Sequence, residues 1–424
     1  MKNTKRGTYL IIAVVLFSIN LMGCNAVSKP RNIPGQGDSS TLVYALPKPG
    51  HLDAAEMQRL RAACSRWFDS ALGNTVFNGG LLVAQKGNII FEKYKGTGHL
   101  DQQDTITAAT PFHLASVSKT FTAMAVLDLW QQKKIGLDDE FSKYFPAFNY
   151  PGVTVRNLLN HRSGLPNYVY FLENMGWNIE QKATNRDILN ELITKKENLK
   201  DIRTPDTHFS YCNTNYALLA LLIEKITGQP YPQYMQQHFF DPLGMTHTYV
   251  LTLADSNKVP PSYDWRGREI GLNFLDYVYG DKDIFSTPRD LLKWDRFLSS
   301  GLLFTAETLN QAYTGYSNEK PGIRNYGLGW RLNIYNNNKK MIYHNGWWHG
   351  NNSVFIRLLD EDVTIIAVNN RFTRATYHAN QLANIFASYF APSDEETEQA
   401  IIDSSKMESK DSTKKRTPVP EKKH

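Results

Sequence analysis

Cysteine is scarce in this sequence: Cys24, Cys64 and Cys212 are the only three in 424 residues. So few thiols cannot build the disulfide framework of a small secreted domain, and none sits at the spacing to histidine that holds zinc. Charge of one sign is also in short supply. The net charge is +6, and setting aside Lys2, Lys5 and Arg6 leaves +3, far from the clustered basic surface that nucleic acid binding requires. There is no internal repeat, and Gly327-Leu328-Gly329 lacks the strand-then-helix setting of a dinucleotide site. No metal and no cofactor is called for. The apolar stretch Tyr9–Met22 is shorter than the roughly 20 residues a membrane-spanning helix needs.

That stretch follows a basic start and precedes Gly23-Cys24, the layout of a signal peptide over residues 1–23. Leu21-Met22-Gly23-Cys24 looks like a bacterial lipobox. The resemblance implies lipid on Cys24 as the first mature residue, and a protein tethered in the cell envelope, facing the periplasm or the cell surface. Several acyl chains anchor firmly, because each buried methylene contributes roughly 0.8 kcal/mol. Residues 24–50 carry Pro30, Pro34, Pro47 and Pro49 with no apolar period and read as a flexible spacer. Residues 393–424, rich in mixed charge and poor in aromatics, read as a disordered tail. The body between them, 51–392, is long enough for a sizeable core. Cys64 and Cys212 could bridge in an oxidising envelope, but two buried free thiols are the preferred reading.

Within the body, Met57, Leu60, Ala63, Trp67 and Ala71 recur at helical spacing and Gly73 follows, so the spacing predicts a helix over 53–72. Two apolar runs flank Lys86-Gly87-Asn88 as a β-hairpin. A helix is expected from Ser116 to about Lys134, then helix and loop with few strands to about residue 300. Strands are expected over 327–334, 340–344, 353–358 and 363–368, and a closing helix over 375–390. Strands at both ends with helices between them have a simple solution. It is an α+β fold in which N- and C-terminal strands form one antiparallel sheet, flanked by helices, with a mostly helical region of about 115–300 inserted.

The chemistry starts at Ser116 and Lys119, an S-x-x-K pair. Three residues apart on a helix, the two side chains share a face with Cβ atoms about 5 to 6 Å apart. A serine hydroxyl is too weakly acidic to attack a carbonyl unaided, and a neighbouring amine can take its proton or hold another base ready. The spacing alone is common on solvated helix surfaces and gains weight only from its company.

That company is Tyr211-Cys212-Asn213, a Y-x-N, and His344-Asn345-Gly346, an H-x-G at a strand end. In this order the motifs resemble the penicillin-binding protein and β-lactamase superfamily, in particular its class C β-lactamase-like hydrolases, esterases and D-aminopeptidases. Thr154–Pro166, Asp241–Met245 and Tyr326–Trp330 look like landmarks of the same family, and the likeness runs over about 55–390.

The resemblance implies the β-lactamase/transpeptidase-like fold, with Ser116 as acylated nucleophile and Lys119 keeping the local field positive. Tyr211 would serve as general base, since a nearby ammonium favours phenolate. Asn213 would bind Lys119 and the substrate carbonyl. The backbone N–H groups of Ser116 and Trp347 would form the oxyanion hole, with Gly346 and His344 lining the substrate site. Trp347, Trp348 and His349 read as pocket wall or packing, and His161 as support for a loop.

One departure bears on substrate. Lysine opens the third motif of true β-lactamases and transpeptidases, where it helps to hold a carboxylate, whereas His344 stands here. Near neutral pH an unperturbed histidine is mostly uncharged. The reading is therefore a serine hydrolase acting on a small ester or amide. The alternatives are a peptidoglycan-directed D-Ala-D-Ala carboxypeptidase or endopeptidase with weak β-lactamase activity, and a non-catalytic envelope lipoprotein on the same fold.

Overall fold

The computed structural model describes residues 42–389, Gln103 excepted. The expected signal peptide, Cys24, most of the spacer and the charged tail lie outside the described residues. Among the described residues no helix is long and apolar enough to cross a membrane.

Seven strands form the main sheet: β1 (Gly79–Gln85), β2 (Asn88–Lys95), β3 (Arg324–Tyr326), β4 (Arg331–Ile334), β5 (Lys340–Trp348), β6 (Asn351–Leu358) and β7 (Val363–Asn369). Their spatial order is β2-β1-β7-β6-β5-β4-β3, every neighbour antiparallel. The first hairpin thus joins the last strand, with Gly79 opposite Asn369 and Gln85 opposite Val363, and the expected architecture is the observed one.

Alternation within β1 shows how the sheet divides two cores. Leu81 and Val83 face a layer that holds Leu60, Cys64 and Phe68 of helix α1 (Ala54–Phe68). Leu82 and Ala84 face the larger core, which contains the inserted helices. Successive side chains of a strand point to opposite faces, and β6 and β7 are buried along their whole length because both faces are covered.

Helix α2 (Ser118–Gln131) is the axis of the larger core, with every residue from Ser118 to Leu129 buried. Its buried polar side chains find partners inside, as Thr122 does in the Gly280 carbonyl. It packs beside α3 (Asn213–Thr227), which ends at Gly228 with φ +71°, the left-handed stop that glycine permits. Helix α4 (Pro288–Ser299) begins with Thr287 accepting from the Asp290 N–H and with proline in its first turn, a preferred start.

Three expectations change. Residues 374–385 wind as 3₁₀ turns, where an α-helix was expected. Tyr377, Ala379, Leu382 and Ala383 are buried there, and packing on the sheet outweighs the weak helix preference of Asn380 and Asn384. Residues 42–50 are not free spacer. The Tyr44 ring packs tilted 4.5 Å from that of Phe297, its N–H donates to the Pro242 carbonyl, and Gly50 N–H donates to the Lys86 carbonyl. The expected strand at 327 begins only at Arg331, because Gly327 and Gly329 form a turn pressed on the helices. A Cβ at Gly329 would lie 2.2 Å from that of Ala123 in α2. Short strands Phe112–His113, Tyr249–Val250 and Ile284–Ser286 form a second small sheet inside the helical region.

Cys64 and Cys212 are buried thiols in different cores. Burial pushes Cys64 up to about 12 and Cys212 up to about 11, so neither is a nucleophile near neutral pH.

Candidate active site

Ser116 lies in a 3₁₀ turn, Ala115–Val117, directly before α2, one turn earlier than a simple helix reading places it. Lys119, in the first turn of α2, is fully buried. Its ammonium donates to Ser116 Oγ at 3.0 Å and to the Asp281 carbonyl at 2.7 Å. It also lies 5.1 Å from the centre of the Tyr211 ring and 5.7 Å from that of Tyr216, aromatic faces that favour a cation. A buried ammonium is costly unless hydrogen-bonded, and the three surfaces together satisfy that demand while leaving the ammonium in contact with the hydroxyl.

Tyr211 is carried by a loop that runs back along His161–Leu165. Arg203 N–H donates to Gly164, Asp206 N–H to Arg162, and Ser210 N–H to His161. Gly164 permits this approach: its φ is +69°, and a Cβ there would sit 2.1 Å from the Arg203 carbonyl oxygen. His161 has φ +60°, and its Nδ1 accepts the Cys212 N–H at 3.1 Å, so it supports the Tyr211 loop as expected. Asn213 opens α3. Its side-chain oxygen is buried with no protein partner, an acceptor held in reserve.

The third motif meets the first from the sheet side. Gly346 on β5 packs on the nucleophile turn. A Cβ there would lie 2.3 Å from the Leu114 carbonyl oxygen, 2.3 Å from Ser353 Oγ and 3.1 Å from Ala115 Cβ. Trp347 follows it on the strand, opposite Asn352, so its backbone runs on past the turn that bears Ser116. The Trp347 ring packs on Phe372 and donates to the His349 carbonyl. Trp348 donates to Asp276, which also bonds His349. Both tryptophan side chains are packing.

His344 is corrected. It is wholly buried, its Nδ1 donates to the Asn345 carbonyl at 2.7 Å, and its Nε2 accepts from Tyr326 Oη at 3.1 Å. Burial, then the charges of Arg331 and Lys119, hold it well below the usual histidine range. Burial also pushes the Tyr326 phenol well up, so Tyr326 donates to a neutral imidazole. With both ring nitrogens engaged, the His344 side chain is held inside the protein against Tyr326 and its own strand. His161 is likewise held neutral by burial, with Lys119 the strongest charge acting on it.

Two contributors escape a reading by motif. The Asp281 carbonyl, which holds Lys119, is backbone and leaves no residue signature. Arg331 places its guanidinium 5.0 Å from the Tyr211 ring centre. The signal for it was its position, directly after Tyr326–Trp330. Arg331 thus places a cation beside the Tyr211 ring. A cavity of about 160 Å³, lined by His113, Phe285, Asp276, His349 and Asn351 among others, lies nearby. Ser116, Lys119 and Tyr211 are not in its walls, so their mutual geometry, not this concavity, locates the chemistry. Among the described residues no group of acidic, histidine or cysteine side chains could hold a metal ion.

A buried lysine bonded to a serine at the head of a core helix, faced by an antiparallel sheet, defines a serine hydrolase of the β-lactamase and penicillin-binding-protein type. Residues 65–389 match the family model described as Beta-lactamase, and the chain belongs to that family. Penicillin-binding protein 4* of Bacillus subtilis is 30% identical over 314 residues, covering 70% of this chain and 68% of that protein. The putative penicillin-binding protein PbpX of the same organism is 28% identical over 60% of this chain, which spans 61% of that relative. A solved penicillin binding protein from Bacillus halodurans superposes with a TM-score of 0.66 at 19% identity, over 75% of this chain and 98% of that one, and shares the fold.

Proposed function

We propose that this protein cleaves a small ester or amide through an acyl-enzyme on Ser116. The observation that carries this reading is the buried Lys119 ammonium 3.0 Å from Ser116 Oγ. Ser116 Oγ attacks the carbonyl carbon while its proton passes to a base supplied by the Lys119 and Tyr211 pair. The developing oxyanion is met by the N–H groups of Ser116 and Trp347, and Asn213 Oδ1 accepts from a substrate amide. The leaving group takes the proton, and water returns the serine. We further infer, from Leu21–Cys24, a lipid anchor on Cys24 that holds the enzyme in the bacterial envelope.

Arg331 favours a second reading, a peptidase for chains that end in a free carboxylate, as a D-Ala-D-Ala terminus does. A planar guanidinium matches a carboxylate with paired hydrogen bonds. One assay addresses both readings, comparing a nitrophenyl ester with a D-alanyl-D-alanine peptide on the native protein and Arg331→Gln. The native protein is expected to hydrolyse the ester, and no ester hydrolysis would count against the first reading. Arg331→Gln is expected to raise KM for the peptide about tenfold more than for the ester, the worth of one charged hydrogen bond. An equal effect on both substrates removes the carboxylate role.

A further inference from the structure

The nucleophile turn holds an unusual backbone. Ala115, immediately before Ser116, has φ +47°, a left-handed conformation that a residue with a Cβ adopts at a cost of about 1 kcal/mol or more. Something must hold it there. The Ala115 N–H donates to His113 Nδ1 at 3.0 Å, and the other ring nitrogen lies 3.0 Å from Asp283 Oδ1. Because Nδ1 accepts, the ring proton sits on Nε2 and is donated to Asp283. Both side chains are buried, and the imidazole packs edge-on to Phe285 at 4.8 Å. Burial holds His113 down to about 3, so the imidazole is neutral and its Nε2–H is donated to the Asp283 carboxyl, whose other oxygen lies 3.8 Å from the Lys282 ammonium.

Asp283 is itself left-handed, with φ +72°, and its segment touches the S-x-x-K turn residue by residue. The Asp281 carbonyl holds Lys119, and Ile284 N–H donates to Ser118 Oγ at 3.1 Å. The Ile284 carbonyl accepts from Leu114 N–H at 2.8 Å. Segment 281–284 is thus a template on which the turn is laid, and His113 is the link that reaches the strained residue.

We propose that His113 is a positioning residue that clamps the Ala115 turn and so aims the Ser116 hydroxyl and N–H, with Asp283 fixing the imidazole tautomer that lets Nδ1 accept. This rests on the reading of Ser116 as nucleophile. Neither residue touches substrate; the clamp acts through backbone geometry, and displacement of a reacting group by about 1 Å can cost about 10²-fold in rate.

Two amides separate the contacts. The oxygen of asparagine branches from Cγ and sits where Nδ1 does, so His113→Asn keeps an acceptor for Ala115. The glutamine amide lies one bond further out, at the reach of Nε2, so His113→Gln keeps Asp283 and loses Ala115. Native protein and both variants are to be labelled with a fluorophosphonate probe, alongside ester kinetics and thermal unfolding. His113→Asn is expected to label within about threefold of native and His113→Gln about thirtyfold more slowly, with KM and melting temperature alike in the two. Equal labelling rates for the two variants overturn the clamp. Absence of labelling in the native protein instead removes the nucleophile reading, so the two failures are distinct.

Asp283→Asn, which keeps an acceptor for Nε2–H, provides the check if the His113 variants do not fold. It is expected to label within about threefold of native, because the retained oxygen is all that Nε2–H needs, and labelling as slow as expected for His113→Gln overturns the proposal.

Discussion

Lys119→Ala is expected to lower ester turnover by about 10³-fold, the upper part of the range for removing an acid or base from a transition state. The lysine touches the serine hydroxyl at 3.0 Å and is wholly buried, so no water-borne amine can replace it in place. Stability is expected to move much less. Removing a buried ammonium relieves its desolvation cost, whereas the Asp281 carbonyl loses a 2.7 Å donor and the stem leaves a void, together about 1–3 kcal/mol. Lys119→Met fills most of that void and should show the same rate loss with a firmer fold. Turnover within tenfold of native in both variants would remove Lys119 from the chemistry.

Gly346→Ala should be nearly as damaging for a steric reason. Two of the atoms that its methyl would meet are linked to each other, because Ser353 Oγ donates to the Leu114 carbonyl at 2.5 Å. Neither can retreat alone. The methyl at 2.3 Å from both must push β5 away from the nucleophile turn or break that hydrogen bond. The expected cost is about 1–3 kcal/mol in urea unfolding, as for overpacked cores. Turnover is expected to fall about 10²-fold, because the Trp347 N–H moves away from the carbonyl it would bind. Native turnover with native stability would show that strand and turn do not meet as described.

How far the sequence speaks for itself depends on the kind of signal. The sheet was legible because its strands alternate or run apolar between turn residues, and the hairpin at Lys86-Gly87-Asn88 announces itself. Helix α2 was legible as a helix, but the 3₁₀ turn that carries Ser116 was not, since tertiary contacts from segment 281–284 impose it. Apolar spacing also failed at 374–385, where an α-helix and a run of 3₁₀ turns bury much the same residues.

In the site, Ser116, Lys119, Tyr211 and Asn213 could be named from the sequence because they stand at motif spacing. The structure brings Ser116, Lys119 and Tyr211 together around one ammonium. What stayed hidden depends on register and backbone. His344 reads as a substrate ligand until β5 turns it toward Tyr326. Arg331 reads as a strand residue until the Gly327–Gly329 turn brings it beside Tyr211, and Asp281 acts through a carbonyl that any residue possesses.

The central claim is that Ser116 is a nucleophile, and mass spectrometry of the probe-labelled protein tests it most directly. Native protein and Ser116→Ala would each be treated with a fluorophosphonate and, separately, with a fluorescent penicillin, then digested and mapped. A single fluorophosphonate adduct on the peptide bearing Ser116, absent from Ser116→Ala, is the predicted result, with penicillin labelling at the same serine or none. An adduct on any other residue, or labelling of Ser116→Ala at the native rate, would contradict it.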